Sequence, residues 1–166
     1  MKKLVPATVL AVALSSTSHA QQSIAKDTLL GSWKVLSLKA TVGDKTTLPL
    51  GEKVDGYVTI TPSRIWLLFV DSTRKTPAAA SLTDAEAIDM MKTQVAWTGK
   101  YNLGEETPDG IKLTAHVDAA SSQAIFNSDR VYVIQMNGNK LTFTGRVVVP
   151  MTGATSTVVF EMMKSD

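Results

Sequence analysis

The stretch Asp129-Arg130-Val131-Tyr132-Val133-Ile134-Gln135-Met136-Asn137-Gly138-Asn139-Lys140-Leu141-Thr142-Phe143-Thr144-Gly145-Arg146 reads as two strands around one tight turn. Asn137-Gly138 is a pair that two-residue hairpin loops favour, because both residues tolerate positive φ. Taking it as the loop sets Ile134 opposite Leu141, Tyr132 opposite Phe143 and Arg130 opposite Gly145 on one face. Gln135 with Lys140, Val133 with Thr142, Val131 with Thr144, and Asp129 with Arg146 as an ion pair fall on the other. A slip of one residue would bury Lys140 and expose Phe143, so the apolar pattern fixes the faces. Arg130 and Tyr132 point inward.

Outward from this hairpin, apolar residues recur at period two in about eight runs, near 31–40, 55–61, 64–70, 96–103, 110–118, 129–136, 140–149 and 156–163. The same alternation turns Trp97, Tyr101, Leu113, Ala115 and Val117 inward and Lys100, Lys112, Thr114, His116 and Asp118 outward. Leu82 to Val95 breaks the rhythm: Ala85, Ile88, Met91 and Val95 stand at helical spacing behind a Thr83/Glu86 capping box. The connections at 41–54, 71–95, 119–128 and 150–155 are long, while Pro62-Ser63, 104–109 and Asn137-Gly138 are mostly tight. In an up-and-down barrel alternate connections lie at opposite ends, so long and short ones describe a cup with an open mouth and a closed base. The predicted fold is an all-β, eight-stranded up-and-down antiparallel barrel with one short helix. A sandwich also gives short strands, but it has no reason to alternate loop length.

The ends and the composition bound the function. Lys2 and Lys3, an apolar run from Leu4 to Leu14, and Ser18-His19-Ala20 read as a signal peptide over residues 1–20, with the barrel domain over 21–166 and export to the periplasm or beyond. The run is too short to span a membrane, and with no Cys a lipid anchor is closed. Removing two lysines leaves 15 basic against 15 acidic residues, and a neutral chain gives no electrostatic case for nucleic acid or an anionic membrane surface. Only His116 remains as an imidazole and there is no thiol, so structural zinc, Cys-His nucleophiles and Ser-His-Asp triads find no ligands or bases. Neither a metal site nor a cofactor motif is read, and no residue is assigned a catalytic role.

Leu30-Gly31-Ser32-Trp33-Lys34-Val35 followed in order by Gly56-Tyr57, Thr61-Pro62, Thr98-Gly99-Lys100-Tyr101, Arg130 and Leu141-Thr142 resembles the bacterial lipocalin-like domain family, over roughly residues 29–163. The resemblance implies a calycin-type barrel whose first strand opens at Gly31 and Trp33 at the base. It also implies a small hydrophobic or amphipathic ligand inside. In such barrels an Arg commonly stacks over that Trp. Two positions depart from the family pattern. After Thr61-Pro62 stands Ser63-Arg64 in place of Asp-Gly, so either Arg64 takes a positive φ or the turn is built differently. The last strand carries Phe160-Glu161-Met162 in place of Trp-Glu-Arg, which leaves Lys164 as the substitute for a basal Arg.

Arg130 is the leading candidate for chemistry, because an inward guanidinium must be paired or solvated. It either has a structural role, such as stacking on Trp33, or grips an anionic head group; strand direction, which sets it near the mouth, argues for the second, while a structural role is the commoner one for such an Arg. Trp97, Tyr101, Tyr132 and Phe143 form either the apolar wall of a ligand pocket or plain core. Met90 and Met91 would cover the mouth as a lid or pack on the outside of the sheet. Binding outranks catalysis. The alternatives are a small barrel enzyme, a cyclase, isomerase or hydrolase acting on a lipid- or polyketide-like substrate through Tyr101 or Tyr132, and a fully packed envelope interaction protein.

Overall fold

The computed structural model describes residues 26–77, 79–148 and 154–165; the leader expected over residues 1–20 lies outside them. A one-turn helix α1 (Lys26–Leu29) precedes strands β1 (Gly31–Val42), β2 (Lys45–Thr47), β3 (Val54–Ile60) and β4 (Arg64–Asp71). Helix α2 (Asp84–Lys92) leads into β5 (Gln94–Thr107), β6 (Gly110–Ala120), β7 (Ser128–Asn137), β8 (Lys140–Val148) and β9 (Thr155–Lys164). Each strand from β3 to β9 pairs antiparallel with the next, β1 pairs with β3, and β1 with β9 closes the ring into eight strands, with β2 a short flap on β1. All-β closure removes the sheet edges that a chain without disulfides could leave unpaired.

The alternation read from the sequence holds through the wall. Trp33, Val58, Ile65, Phe69, Leu113, Ile134, Leu141 and Phe143 are buried inside, whereas Lys100, Lys112 and His116 stand outside. The base is sealed from below. Leu29 on α1 is fully buried, the Trp33 indole N–H donates to its carbonyl at 2.8 Å, and the Lys164 ammonium lies 4.6 Å from the Trp33 ring while donating to the Leu30 carbonyl. Lys164 thus occupies the place of the basal Arg, and Arg130 does not stack on Trp33. A cation over an indole face is attracted by the ring quadrupole.

Three local expectations are corrected, and the alternative left open at Arg64 is decided. The β7–β8 turn is Gly138-Asn139, not Asn137-Gly138: Asn137 pairs with Lys140, Ile134 with Phe143 and Tyr132 with Gly145, two residues away from the predicted register. Gly138 alone of the two loop residues has positive φ, +59°, which fits the II′ turn with glycine first. Because the side-chain period is two, the shift keeps every residue on its predicted face. It does separate Asp129 from Arg146, and Asp129 instead meets His116 Nδ1 across the β6–β7 pair at 2.8 Å. Helix α2 has the predicted capping box, with the Thr83 amide donating to Glu86 at 2.8 Å, but it ends at Lys92, so Val95 belongs to β5. At the β3–β4 turn Arg64 keeps negative φ. Its amide donates to the Thr61 hydroxyl at 3.0 Å and Thr61 N–H returns to the Arg64 carbonyl at 2.9 Å, so a threonine side chain does what a glycine would.

Candidate ligand-binding cavity

The upper half of the barrel holds a cavity of about 670 Å³ that opens at the mouth. That volume lies within the range of small-ligand sites, ~300–1,000 Å³. Its lining is mostly aliphatic and aromatic, with Leu38, Leu50, Val147, Val158 and Phe160 beside Trp97 and Tyr132. The alternation places one inward residue on the wall every second position, about 6.6 Å apart along a strand, so each strand gives the cavity only a few side chains.

Of the residues picked out from the sequence, Trp97, Arg130 and Tyr132 line the cavity and Tyr101 and Phe143 do not. The reason is depth. Tyr101 stands four residues below Trp97, about 13 Å along β5 toward the base, and its hydroxyl donates to the Thr61 carbonyl of the basal β3–β4 turn at 2.9 Å. Phe143, fully buried, lies near the basal end of β8 and packs under Tyr132, with ring centroids 5.6 Å apart. Gly31 and Trp33 belong to the base, as their position at the start of β1 requires.

Tyr132 is the centre of an aromatic floor. Its ring stacks parallel to Trp97 at 6.4 Å and tilts against Phe160 at 5.6 Å, and Phe160 meets Phe69 edge-on at 5.4 Å. Gly145, directly across from Tyr132, makes room: a Cβ there would come within 2.5 Å of the Tyr132 ring. Burial pushes the Tyr132 hydroxyl up to about 12, against the opposing pull of the Arg130 guanidinium, so it stays a neutral donor at ordinary pH. Among the described residues that hydroxyl has no hydrogen-bond partner, and no carboxylate lies within ion-pair reach of Arg130.

The polar complement of the lining is one-sided. Arg130 and Lys92 bring positive charge, Gln94, Thr47 and Ser156 bring neutral groups, and among the described residues there is no acidic residue and no histidine in the lining. Lys92, Gln94, Leu38, Val158 and Phe160 were not singled out from the sequence. Carrying the alternation of β9 upward from Met162 would have found Phe160 and Val158; the helix was expected at the mouth with Met90 or Met91 as its lid, and Lys92 in its last turn is the residue that lines the cavity. Met90 lines a crevice between α2 and the 71–77 segment, and Met91 faces solvent, 51% exposed. Neither methionine packs on the outside of the sheet as a buried residue. His116 sits on the outer wall, far from this lining. Among the described residues no cluster of three or more His, Cys, Asp or Glu could hold a metal ion, and no helix is long and apolar enough to cross a membrane.

A closed eight-stranded barrel with a sealed base, a Trp on the first strand and an apolar cavity at the other end decides the kinship, and the family model of a lipocalin-like domain matches residues 30–162. The chain belongs to the lipocalin-like domain family. The match takes in β1 to β8 and most of β9 of this lipocalin-like barrel and, among the described elements, leaves out α1 and the last two residues of β9. No curated protein and no solved structure matches the chain. The lipocalin-like fold supports binding of a small ligand within the barrel, and the ligand's nature has to be argued from the cavity itself.

Proposed function

We propose that this lipocalin-like protein is an exported carrier of a small anionic amphiphile, whose apolar body fills the cavity and whose head group meets Arg130 and Tyr132. One observation carries the reading. A half-buried guanidinium and a buried neutral phenol, both donors and both without a partner among the described residues, stand in an apolar cavity whose described lining holds no acid. A carboxylate or similar group would supply the missing acceptor, and charge-assisted bonds to Arg are the strong ones. Among the described residues the lining pairs no carboxylate or imidazole with Tyr132 and Lys92, and burial holds the Tyr132 phenol in its neutral form, which favours carriage over turnover. Export rests on the apolar run behind Lys2 and Lys3 and on Ser18-His19-Ala20. N-terminal sequencing of the cellular protein should begin at Gln21.

Paired titrations test the cavity. Arg130→Met should weaken a medium-chain fatty acid by roughly 1.5–3 kcal/mol, the worth of a hydrogen bond to a charged group, and leave the matching neutral alcohol unchanged. Equal losses for both ligands, or a fall in thermal stability without ligand, would make Arg130 structural and overturn the proposal.

A further inference from the structure

Exposed large apolar side chains stand on the barrel wall, with Leu36, Tyr57, Trp66, Leu68 and Val131, and at the mouth, where they surround the opening. Val42 at the end of β1, Leu48 before β3, Ile88 and Met91 on α2, Phe126 between β6 and β7, and Val148 at the end of β8 all stand at the mouth, each 41–60% exposed. The basal turns at 61–63, 108–109 and 138–139 carry none. A single exposed apolar residue is ordinary, but one or more at every side of the opening makes a ring. The ring is continuous with the cavity, since Val42 and Val148 line it too.

Charge at this end is balanced. Between β1 and β3, Lys45 and Lys53 face Asp44 and Glu52 in number; between β4 and β5, Arg74, Lys75 and Lys92 are matched by Asp84, Glu86 and Asp89. The 121–127 connection has no charge. We infer that the mouth docks on a neutral lipid surface and that cargo passes between lipid and cavity there. A ring of separate side chains around a hole suits a fluid apolar phase that fills the gaps between them, and burial of such side chains in the lipid interface is what drives docking. A folded partner would have to bridge the open centre. Zero net charge matches a zwitterionic head-group layer and gives no pull toward anionic lipid. The inference rests on the carrier reading only for what is exchanged; docking itself stands on the ring.

Flotation with phosphatidylcholine vesicles tests it on the protein as recovered from its own cells. The wild type should float with the vesicles equally at low and high salt, and the double variant Ile88→Glu, Met91→Glu should partition at least about tenfold less. Trp66→Glu is the control, because Trp66 is as exposed, 52%, but stands on the barrel wall; it should float like wild type. The N-terminus, whether or not the leader has been removed, is the same in all three, so differences between them report the mouth. A Phe126→Trp variant should show indole fluorescence quenched by brominated lipid. Failure to float, a requirement for anionic lipid, equal loss in the Trp66→Glu control, or self-association of the protein in place of vesicle binding would each overturn docking. The fatty-acid titration in solution, which the double variant should leave unchanged, judges the carrier reading separately.

Discussion

At the scale of single residues, Tyr132 joins the fold to the site. Its ring carries the aromatic floor and its hydroxyl stays protonated because burial disfavours the phenolate. That preference has a consequence for stability. In the unfolded chain the phenol ionises near 10, whereas in the fold it holds its proton to about 12. Between those values the native state binds the extra proton, so stability must fall as pH rises through the window. Two units amount to roughly 3 kcal/mol at the upper end. Tyr132→Phe should remove this part of the alkaline loss, and the check is urea unfolding of both proteins from pH 9 to 12. Parallel curves would show that Tyr132 ionises alike in the two states. The direction of this side chain was legible from alternation alone, and so was that of Arg130. What alternation could not supply was depth: Tyr101 and Phe143 point inward as read, yet they lie below the cavity, since period two says which face and not how far down.

At the scale of elements, the β7–β8 hairpin shows where local signals stop. Asn137-Gly138 and Gly138-Asn139 are both good two-residue loops, and the apolar pattern is indifferent between them because they differ by two in register. The choice falls to the neighbours: β7 must also align with β6 through Ile134 opposite Ile111, and β8 with β9 through Phe143 opposite Phe160. This makes a sharp expectation. Gly138, with φ of +59° and nothing within 4 Å of a would-be Cβ, should lose about 1–2 kcal/mol on Gly138→Ala from backbone strain alone. Asn137→Ala, which touches only a residue in the ladder, should cost far less; a reversal of that order in thermal unfolding would return the turn to Asn137-Gly138. Helix α2 was legible at its start, where the capping box is a local chemical device. Its end was not, since Val95 continues the helical spacing but is claimed by pairing of the next strand with β4.

At the scale of the molecule, the barrel is divided into a packed lower half and an open upper half. Loop lengths already told the two ends apart, because only the closed end can be joined by two- and three-residue turns. They could not tell whether the mouth was plugged by side chains. The division predicts that substitutions of opposite sense will behave unlike one another in the two halves. In the lower half Phe143 is fully buried against Tyr132 and pairs with Phe160, so Phe143→Ala should cost ~3–5 kcal/mol, the transfer term plus an unfilled hole. In the upper half Ala40 lines the cavity on β1 opposite Val158. Adding a large side chain to a close-packed core ordinarily costs about 1–3 kcal/mol through forced rotamers and backbone shifts. Here the added ring of Ala40→Phe would enter open space, so unfolding should be nearly unchanged. The same ring would occupy volume a ligand's apolar body needs, so affinity for a medium-chain acid and its neutral alcohol should fall together, in contrast to the acid-selective loss of Arg130→Met. Chemical denaturation and ligand titration on this one variant therefore separate the two halves, and destabilisation of Ala40→Phe to the degree of an overpacked core would mean that the upper barrel is filled in solution.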